Sequence, residues 1–309
     1  MAGGVSGNLA PFWRILAREK ISKSQAIQMF IAGIQGKRKS FVVEDSMRLS
    51  LAGAESRHWV NDEAVPCGRN ALARGGQYDT VIETFRPFIL ESFFYVDEDM
   101  ERLLPHFGDF LLDSGAFTFM SGTVGSIDWN GYIKRYADFI VRNDIKKFFE
   151  LDIDSVVGYA KVKEFRRDLE KLTSRPCIPV WHVSRGIDEF KRMCDEYGYV
   201  AIGGIVSKEI KPDKYNLLPV LIKEAHKRKT KIHGLGFTAL NWLPICHFDS
   251  VDSTAWTTGN RFGYLYYFDG KTMKKKDAPK GHKLGDSRAA ALNNYVEWLK
   301  FQKYALTHF

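Results

Sequence analysis

Three apolar segments of this chain each end in an aspartate. Asp113 closes "FLLD", Asp152 closes "KFFELD" and Asp252 closes "HFDSVD", while Gly203 and Gly204 close a further segment, "YVAI". A single aspartate after a strand is more often a helix cap than a catalyst. Three of them on separate segments, beside glycines that leave the backbone bare, predict a functional site.

Carboxylates in this number suit displacement at a sugar C1′. One attacks and forms a covalent glycosyl intermediate, and a second transfers protons as one base leaves and another enters. The transition state resembles an oxocarbenium ion, so a carboxylate beside C1′ also stabilises positive charge. A third carboxylate suits guanine, whose N1–H and 2-amino groups place two donors on one edge. Glycines would let backbone amides approach the base O6.

Short apolar segments alternate with longer amphipathic ones through most of the chain, which indicates parallel βαβ units. Eight strands in about 260 residues predict an α/β fold of the (β/α)8, or TIM, barrel type, whose active sites form at the C-terminal strand ends. No GxGxxG or GxxxxGK[ST] motif follows a strand to favour an open sheet. The predicted strands cover residues 48–53, 88–94, 110–115, 147–152, 177–183, 199–204, 231–236 and 247–253.

The beginning of the chain differs from this pattern. Residues 1–47 show helical periodicity and predict a small helical extension, which leaves residues 48–309 as the barrel domain. The pattern of a signal peptide is missing, and no segment has the length of a membrane-spanning helix. We therefore expect a cytoplasmic protein without a membrane partner. Scattered cysteines fit buried thiols in a reducing compartment better than disulfides or a zinc site: Cys67, Cys177, Cys194 and Cys246.

The chain carries a formal net charge of +8. Positive charge is concentrated in "KEAHKRKTK" (223–231) and "DGKTMKKKDAPKGHK" (269–283), which flank the segment of Asp252. A solvated surface explains any one such run about as well as a binding surface does. Because two runs flank the same segment, the pattern favours a polyanionic partner, most simply nucleic acid.

Five segments in order resemble the successive motifs of the tRNA-guanine transglycosylases. They are "DSGAF" (113–117), "LDIDS" (151–155), "YVAIGGIVSKE" (199–209), "HGLG" (233–236) and "VDSTAWTTGNRFGYLYYFDG" (251–270). The resemblance covers roughly residues 48 to 290. It implies a zinc-stabilised TIM barrel that exchanges guanine in a polynucleotide for a 7-deazaguanine.

The resemblance also implies roles for individual residues. Asp252 matches the nucleophile, Asp113 the general acid/base, and Asp152 the aspartate that reads the guanine edge. Other positions match residues that bind the base: Ser114 beside the acid/base, Phe117 and His233 on the two faces of the base, Gly203 and Gly204 as amide donors, and His182 where the family has glutamine. A histidine satisfied within the barrel explains His182 about equally well.

Two aspartates stand three positions apart in "HFDSVDS". Asp249 and Asp252 differ in strand parity, so they cannot both face the barrel axis. Asp252 is the later of the two and lies nearer the strand end. We expect Asp252 to react and Asp249 to have a structural role.

Two departures from the family concern its contacts with tRNA. The cysteines and histidine of the zinc motif are replaced by a lysine-rich segment, so we expect no metal and no cofactor. The "PTRxxR" segment has become "STAWTTGNR", which keeps one arginine. We expect contacts with nucleic acid from Arg261, Lys274, Lys275 and Lys276. Shortened relatives without zinc resemble the phage and bacterial branch that inserts 7-deazaguanines into DNA.

The resulting expectation is a DNA-guanine transglycosylase that inserts preQ0 or a derivative by double displacement through a covalent aspartyl intermediate. It would act in the cytoplasm, that of the host if the chain is phage-encoded. A target base must leave the stack or come from a single strand. Alternatives are a tRNA substrate, a catalytically silent nucleic-acid-binding subunit and a barrel glycosidase. Either a homodimer or an accessory protein is compatible with the sequence.

Overall fold

The computed structural model describes residues 47–52, 86–115, 118, 127–277 and 287–309. All of them belong to one compact unit, which extends over Asp45–Phe309. Apart from Met47, the predicted helical extension lies outside the described residues and stays a prediction.

Seven parallel strands form one sheet in the order β3-β2-β1-β7-β6-β5-β4. Each occupies a predicted segment, because short β-branched and aromatic runs pack well on a surface that is buried on both faces. The strands are β1 (Arg48–Ala52), β2 (Phe88–Ser92), β3 (Asp109–Asp113), β4 (Val180–Trp181), β5 (Tyr199–Ile202), β6 (Lys231–Gly234) and β7 (Ser250–Ser253).

Residues 147–152, here called the bridging segment, join the two edges of this sheet. Leu112 of β3 pairs with Phe148, and Phe149 pairs with Ile178 just before β4, both in parallel. Phe149 N–H donates to Leu112 O at 3.0 Å, and Ile178 N–H donates to Phe148 O at 2.8 Å. The bridging segment is therefore the eighth strand position, and the predicted (β/α)8 barrel is confirmed.

Helices follow the strands along the chain and cover the outside of the barrel. In the second of them, Tyr132, Ile133, Tyr136 and Ile140 recur at helical spacing and are buried. The described helices are α1 (Glu98–Leu103), α2 (Trp129–Arg142), α3 (Asp154–Val157), α4 (Tyr159–Thr173), α5 (Ile187–Glu196), α6 (Leu218–Lys227), α7 (Leu243–Cys246), α8 (Ala255–Phe262) and α9 (Ser287–His308). Not one of these helices has the length and apolarity that crossing a membrane requires.

The barrel interior is apolar in its middle and charged at the end where the strands begin. A buried cluster that includes Leu90, Leu111 and Phe149 fills the centre. At the N-terminal end of the strands, Asp109 lies 3.2 Å from Arg48 Nη1 and 2.7 Å from Lys147 Nζ. The end of the barrel where the strands begin is here called the base, and the end where the strands finish is called the mouth.

An antiparallel hairpin follows β7 and α8. Its strands are β8 (Tyr264–Phe268) and β9 (Met273–Asp277), and helix α9 packs against it. Three predicted buried thiols are confirmed, because Cys177, Cys194 and Cys246 are buried and free. Cys67 lies outside the described residues.

Helix α9 is fastened to the barrel by one buried amide. Gln302 is fully buried, and its Oε1 accepts from Phe88 N–H at 2.9 Å. Its Nε2 donates to Leu49 O at 2.6 Å and to Phe88 O at 2.8 Å. The side chain thus joins α9 to backbone groups of β1 and β2.

We expect Gln302→Leu to lower the free energy of unfolding by about 2–4 kcal/mol, because it removes three buried hydrogen bonds to backbone groups of β1 and β2. Denaturant unfolding measures the change. Thr307→Ala, at an exposed position of the same helix, is the control and should cost less than about 0.5 kcal/mol. Equal losses in the two variants would contradict the role of the amide.

Candidate active site

The three predicted catalytic and base-reading aspartates meet at the mouth. Asp113 ends β3, Asp152 ends the bridging segment, and Asp252 lies near the end of β7. The negative charges of Asp252 and Asp152 both raise the pKa of Asp113, so the three carboxyl groups lie within electrostatic range of one another. Parallel strands in a closed barrel produce this convergence, because all their C-terminal ends lie at one rim.

Asp252 is held through one of its two oxygens. It is 6% exposed, and its Oδ1 accepts from Gly236 N–H at 2.6 Å. His233 Nε2 lies 3.2 Å from the same oxygen. Gly236 has a φ of +65°, a conformation that glycine adopts readily and that turns its N–H towards the carboxylate. The bonds orient the group and leave Oδ2 as the oxygen available for attack.

His233 does not take the predicted position on a face of the base. Its ring is fully buried, with Nδ1 at 2.5 Å from Ser250 Oγ, which also hydrogen bonds to the Tyr199 hydroxyl. The physical reason is register: His233 is paired with Ser250, two residues before Asp252 and therefore one layer deeper in the barrel. His233 supports the carboxylate from below.

Asp113 has the environment of a proton-transfer group. Burial raises the pKa of this carboxyl to about 6, the charges of Asp252 and Asp152 add to the increase, and the bond from Gly115 N–H opposes it. That bond joins Gly115 N to Asp113 Oδ2 at 2.9 Å. A carboxyl group with this pKa exchanges protons near neutral pH, as a general acid/base must.

Hydroxyl groups beside these carboxylates retain unused bonding capacity. Ser50 is the register partner of Asp252, and Ser92 is the register partner of Asp113. The Oγ atoms of Ser50, Ser92 and Ser114 are buried without a hydrogen-bond partner among the described residues. Buried hydroxyls nearly always have a partner. The mouth therefore offers polar contacts to a ligand or to water, and base binding by Ser114 stays a prediction.

Asp152 is clamped between two cations. His182 Nε2 lies 2.7 Å from its Oδ2, and Arg185 Nη2 lies 3.1 Å from its Oδ1. Each oxygen has therefore used one of its two acceptor positions, and the other two can still accept from a base. The predicted role in reading guanine is compatible with this geometry and is not tested by it.

Both ring nitrogens of His182 have hydrogen-bond partners within the protein. Of the two interpretations of His182, the histidine satisfied within the barrel therefore fits, and donation to the base does not. Its Nδ1 lies 2.9 Å from Glu209 Oε2, and its Nε2 is occupied by Asp152. Burial lowers the pKa of this imidazole, but bonds to the two carboxylates outweigh burial and raise it to about 9. Both ring nitrogens are then protonated donors, and both are occupied.

Sequence reasoning missed the buried ionic network behind Asp152. Arg185 is 2% exposed at its side chain and contacts Glu150 at 3.2 Å, Asp154 at 3.0 Å and the Val180 carbonyl oxygen. Glu150 is fully buried and accepts from Arg166 Nε at 2.6 Å. A charged residue inside the apolar run "KFFELD" was the available signal, since a carboxylate there needs a buried partner.

Of the paired glycines after β5, Gly203 does not have the predicted role of amide donor to the base. The N–H of Gly203 donates to Trp181 O at 2.9 Å, so this amide is occupied by the sheet and cannot serve the base. A Cβ on Gly203 would lie 2.8 Å from the His182 ring. Gly203 is therefore required by close packing of His182, and an amide contact from Gly204 stays a prediction.

The structural interpretation of Asp249 is confirmed. It precedes β7, at the N-terminal end of the strands, and its Oδ2 accepts from Ile232 N–H at 2.7 Å. His226 Nε2 lies 2.8 Å from the same atom. Asp249 thus joins α6, β6 and the start of β7 at the barrel base, away from Asp252.

The two basic runs lie in different surroundings. Residues 223–231 occupy the end of α6 and the turn into β6, at the barrel base, so this run does not flank the mouth as expected. Arg228 pairs there with Asp195 and with Glu224, and Lys227 pairs with Glu224. The solvated-surface interpretation fits this run.

The second run forms part of the hairpin. Lys274, Lys275 and Lys276 lie on β9 and are exposed. Lys275 Nζ lies 4.3 Å from the centre of the Tyr264 ring, while Lys274 and Lys276 alternate to the opposite face, which also carries the half-exposed Tyr267. Nucleic-acid contact by these lysines stays a prediction. Strand β9 offers no thiolate, so the donor set does not fit the zinc site of the family.

Two further predicted residues are not settled by the geometry. Arg261 lies on α8, and its contact with nucleic acid stays a prediction. Phe117 lies outside the described residues.

Comparison with known proteins supports the fold of this chain and does not identify its function. No protein-family model matches the chain, and no curated protein matches it in sequence. A chain assigned as a fructose-1,6-biphosphate aldolase from Coccidioides immitis matches 85% of this chain and 90% of its own length, with 10% identity and a TM-score of 0.50. At that identity the likeness shows the fold alone.

Two other solved structures are similar over comparable lengths. The tryptophan synthase α-subunit of Pyrococcus furiosus matches 86% of this chain and 100% of its own length, with 12% identity and a TM-score of 0.45. Rhizobium etli pyruvate carboxylase matches 85% of this chain with 11% identity and a TM-score of 0.44, and the match spans 28% of the carboxylase.

The raised pKa of Asp113 predicts a pH-dependent difference between the wild type and Asp113→Asn. The folded-state pKa lies above the unfolded value, so ionisation destabilises the folded wild type as the pH rises through about 4 to 6. Relative to the wild type, we expect Asp113→Asn to gain roughly 2–3 kcal/mol of unfolding free energy between pH 4 and pH 8.

Denaturant unfolding of both proteins at the two pH values measures this gain. Asp109→Asn, at the barrel base, is the control, and its difference from the wild type should not follow this pattern. A constant difference between Asp113→Asn and the wild type would show that Asp113 ionises normally.

Proposed function

We propose that this chain is a nucleic-acid guanine transglycosylase that exchanges guanine in DNA for a 7-deazaguanine base such as preQ0. The observation that carries the proposal is the set of three carboxyl groups at the mouth in three different environments. Asp252 is oriented through one oxygen, Asp113 has a pKa of about 6, and Asp152 is clamped between two cations. Nucleophile, proton carrier and base reader need these three environments.

In this mechanism Asp252 Oδ2 attacks C1′ of the target nucleotide. An ester bond to C1′ forms as the C1′–N9 bond breaks, and protonated Asp113 donates its proton to the departing guanine. The 7-deazaguanine then gives its N9 proton to the Asp113 carboxylate and attacks C1′, which releases Asp252. Both carboxyl groups end in their starting states, and two inversions give net retention.

The preference for DNA is supported by what replaces the tRNA-binding segments of the family. Strand β9 presents Lys274 and Lys276 on an exposed face with Tyr267, a combination that suits a phosphate backbone with an unstacked base. Neither group recognises a ribose 2′-OH specifically, which is the group that separates RNA from DNA. Activity on tRNA is the alternative outcome of the exchange experiment.

The decisive experiment is base exchange on DNA and on tRNA. Purified protein is incubated with preQ0 and either polymer, the polymer is digested to nucleosides, and the products are identified by mass. A deazaguanine deoxynucleoside from DNA supports the proposal, and a ribonucleoside from tRNA alone changes the substrate. If neither polymer is modified, transglycosylation by this chain on its own is rejected.

Asp252→Ala should reduce exchange by roughly 10³-fold or more, because the covalent nucleophile is lost. It should also abolish the protein–DNA adduct that survives denaturing electrophoresis. Asp249→Ala is the matched control, since Asp249 lies at the barrel base on a neighbouring position of the chain. It should retain both exchange and adduct, and normal exchange by Asp252→Ala would reject the assigned nucleophile.

The double variant Lys274→Ala/Lys276→Ala should bind DNA more weakly without changing sequence preference. Each lysine that neutralises one phosphate contributes about −0.9 to the slope of log K against log salt concentration, so the slope should become shallower by about 2. Fluorescence anisotropy over a salt series measures it.

Lys146→Ala/Lys227→Ala, two exposed lysines at the barrel base, is the control pair. Its salt slope should equal that of the wild type. Identical slopes in all three proteins would exclude the hairpin from the DNA contact.

A further inference from the structure

A chain of hydrogen-bonded charged groups crosses one side of the mouth. Glu209 comes from the loop after β5, His182 from the end of β4 and Asp152 from the bridging segment. The His182 ring joins Glu209 Oε2, at 2.9 Å, to Asp152 Oδ2, at 2.7 Å. Glu209 is itself fixed, because its Oε1 accepts from Ser184 N–H at 3.1 Å. The imidazole of His182 therefore links residues from three separate parts of the barrel mouth.

The backbone beside this chain is shaped to admit it. A Cβ on Gly203 would lie 2.8 Å from two atoms of the His182 ring, and a Cβ on Gly204 would lie 2.6 Å from Glu209 Oε2. Gly204 also has a φ of +79°, which disfavours other residues. The two glycines thus provide space for the His182–Glu209 pair, which indicates that the backbone of the mouth is shaped around this pair.

We propose that His182 and Glu209 are positioning residues that hold the Asp152 carboxylate as an acceptor facing the donor edge of the incoming and outgoing bases. This inference rests on the proposed function and identifies how its site selects bases. An ionised carboxylate can accept from N1–H and from the 2-amino group of guanine. Hypoxanthine lacks the 2-amino group, and adenine presents an acceptor at N1, so both pair poorly with a fixed carboxylate.

The charge state of His182 follows from the groups that face it. The carboxylates of Asp152 and Glu209 face it from the bridging segment and from the loop after β5, and Arg185 faces it from its own turn. Asp154 and Glu150 contact Arg185. With burial and Arg185 opposing protonation and two carboxylates favouring it, the pKa of His182 is raised to about 9. The imidazolium therefore persists at neutral pH and is lost as the pH rises through about 9.

Removing the charge of Glu209 should separate this positioning role from a general structural one. In Glu209→Gln, His182 keeps Asp152 as its only carboxylate partner, so it should lose its proton at a pH at least one unit lower than in the wild type. Guanine binding by the variant should then weaken about 10-fold or more between pH 7 and pH 9, a range in which about half or more of the wild type keeps the imidazolium. Hypoxanthine binding should change less than about 3-fold, because it makes one fewer bond to Asp152.

Two measurements on the full chain test this. The imidazole titration of His182 is followed by ¹H–¹⁵N NMR, with His182→Gln to assign its signals. Binding of free guanine and of hypoxanthine is measured by calorimetry between pH 6 and pH 9, below the range in which the bases themselves lose most of their N1 proton. Glu196→Gln is the control, because Glu196 is an exposed partner of Arg192 on α5 and should leave both measurements unchanged.

The outcomes distinguish this inference from the proposed reaction. If guanine binds with the expected dependence on pH and on Glu209 but no polymer is modified, the reaction is rejected and the positioning role stands. If the polymer is modified but Glu209→Gln titrates and binds guanine as the wild type does, the positioning role is rejected. An absence of guanine preference over hypoxanthine in the wild type overturns it as well.

Discussion

The placing of three carboxyl groups at one partly buried barrel rim is the constraint on which the rest of the mouth depends. Burial and neighbouring negative charge both disfavour an ionised carboxyl group, so each of the three needs compensation. The chain resolves the problem differently for each group. Asp252 accepts from the Gly236 N–H, and Asp152 contacts two cations. Asp113 accepts from the Gly115 N–H, but burial, reinforced by the charges of Asp252 and Asp152, raises its pKa to about 6. Asp113 thereby becomes able to exchange protons near neutral pH.

The residues that balance the charge of Asp152 need partners of their own, and these partners form the surroundings of the site. Arg185 contacts Asp152, Asp154 and Glu150, and the buried Glu150 is balanced further by Arg166. A buried charge that loses its partner is costly, so these residues depend on one another. Glycine at position 203 follows from the same requirement, because the ring of His182 occupies the space that a side chain would need. The network that positions Asp152 is therefore wider than the residues that would touch a base.

The hairpin after β7 shows how the chain stabilises this region with hydrogen bonds. Asn294 Oδ1 of α9 accepts from Tyr266 N–H at 2.6 Å, and Glu297 Oε2 accepts from Phe268 N–H at 2.7 Å. Lys275 lies over the rings of Tyr264 and Tyr266. These contacts tie β8 to α9, and β9 is then free to present lysines on its outer face. Positive charge pairs with carboxylates in both regions: Lys274 Nζ lies 3.8 Å from Asp269 Oδ2 on the hairpin, and Arg228 pairs with Asp195 at the barrel base.

Local sequence pattern was enough to predict the eight strand positions, the barrel and the convergence of Asp113, Asp152 and Asp252, since strand period and strand ends depend on neighbouring residues. It also separated Asp249 from Asp252 by parity. The position of His233 below Asp252 and the bond between His182 and Glu209 became visible in the folded barrel alone. Those outcomes depend on register between strands and on partners 19 and 27 residues away, which no local pattern encodes. Desolvation, which raises the pKa of Asp113, likewise exists only once the barrel has closed.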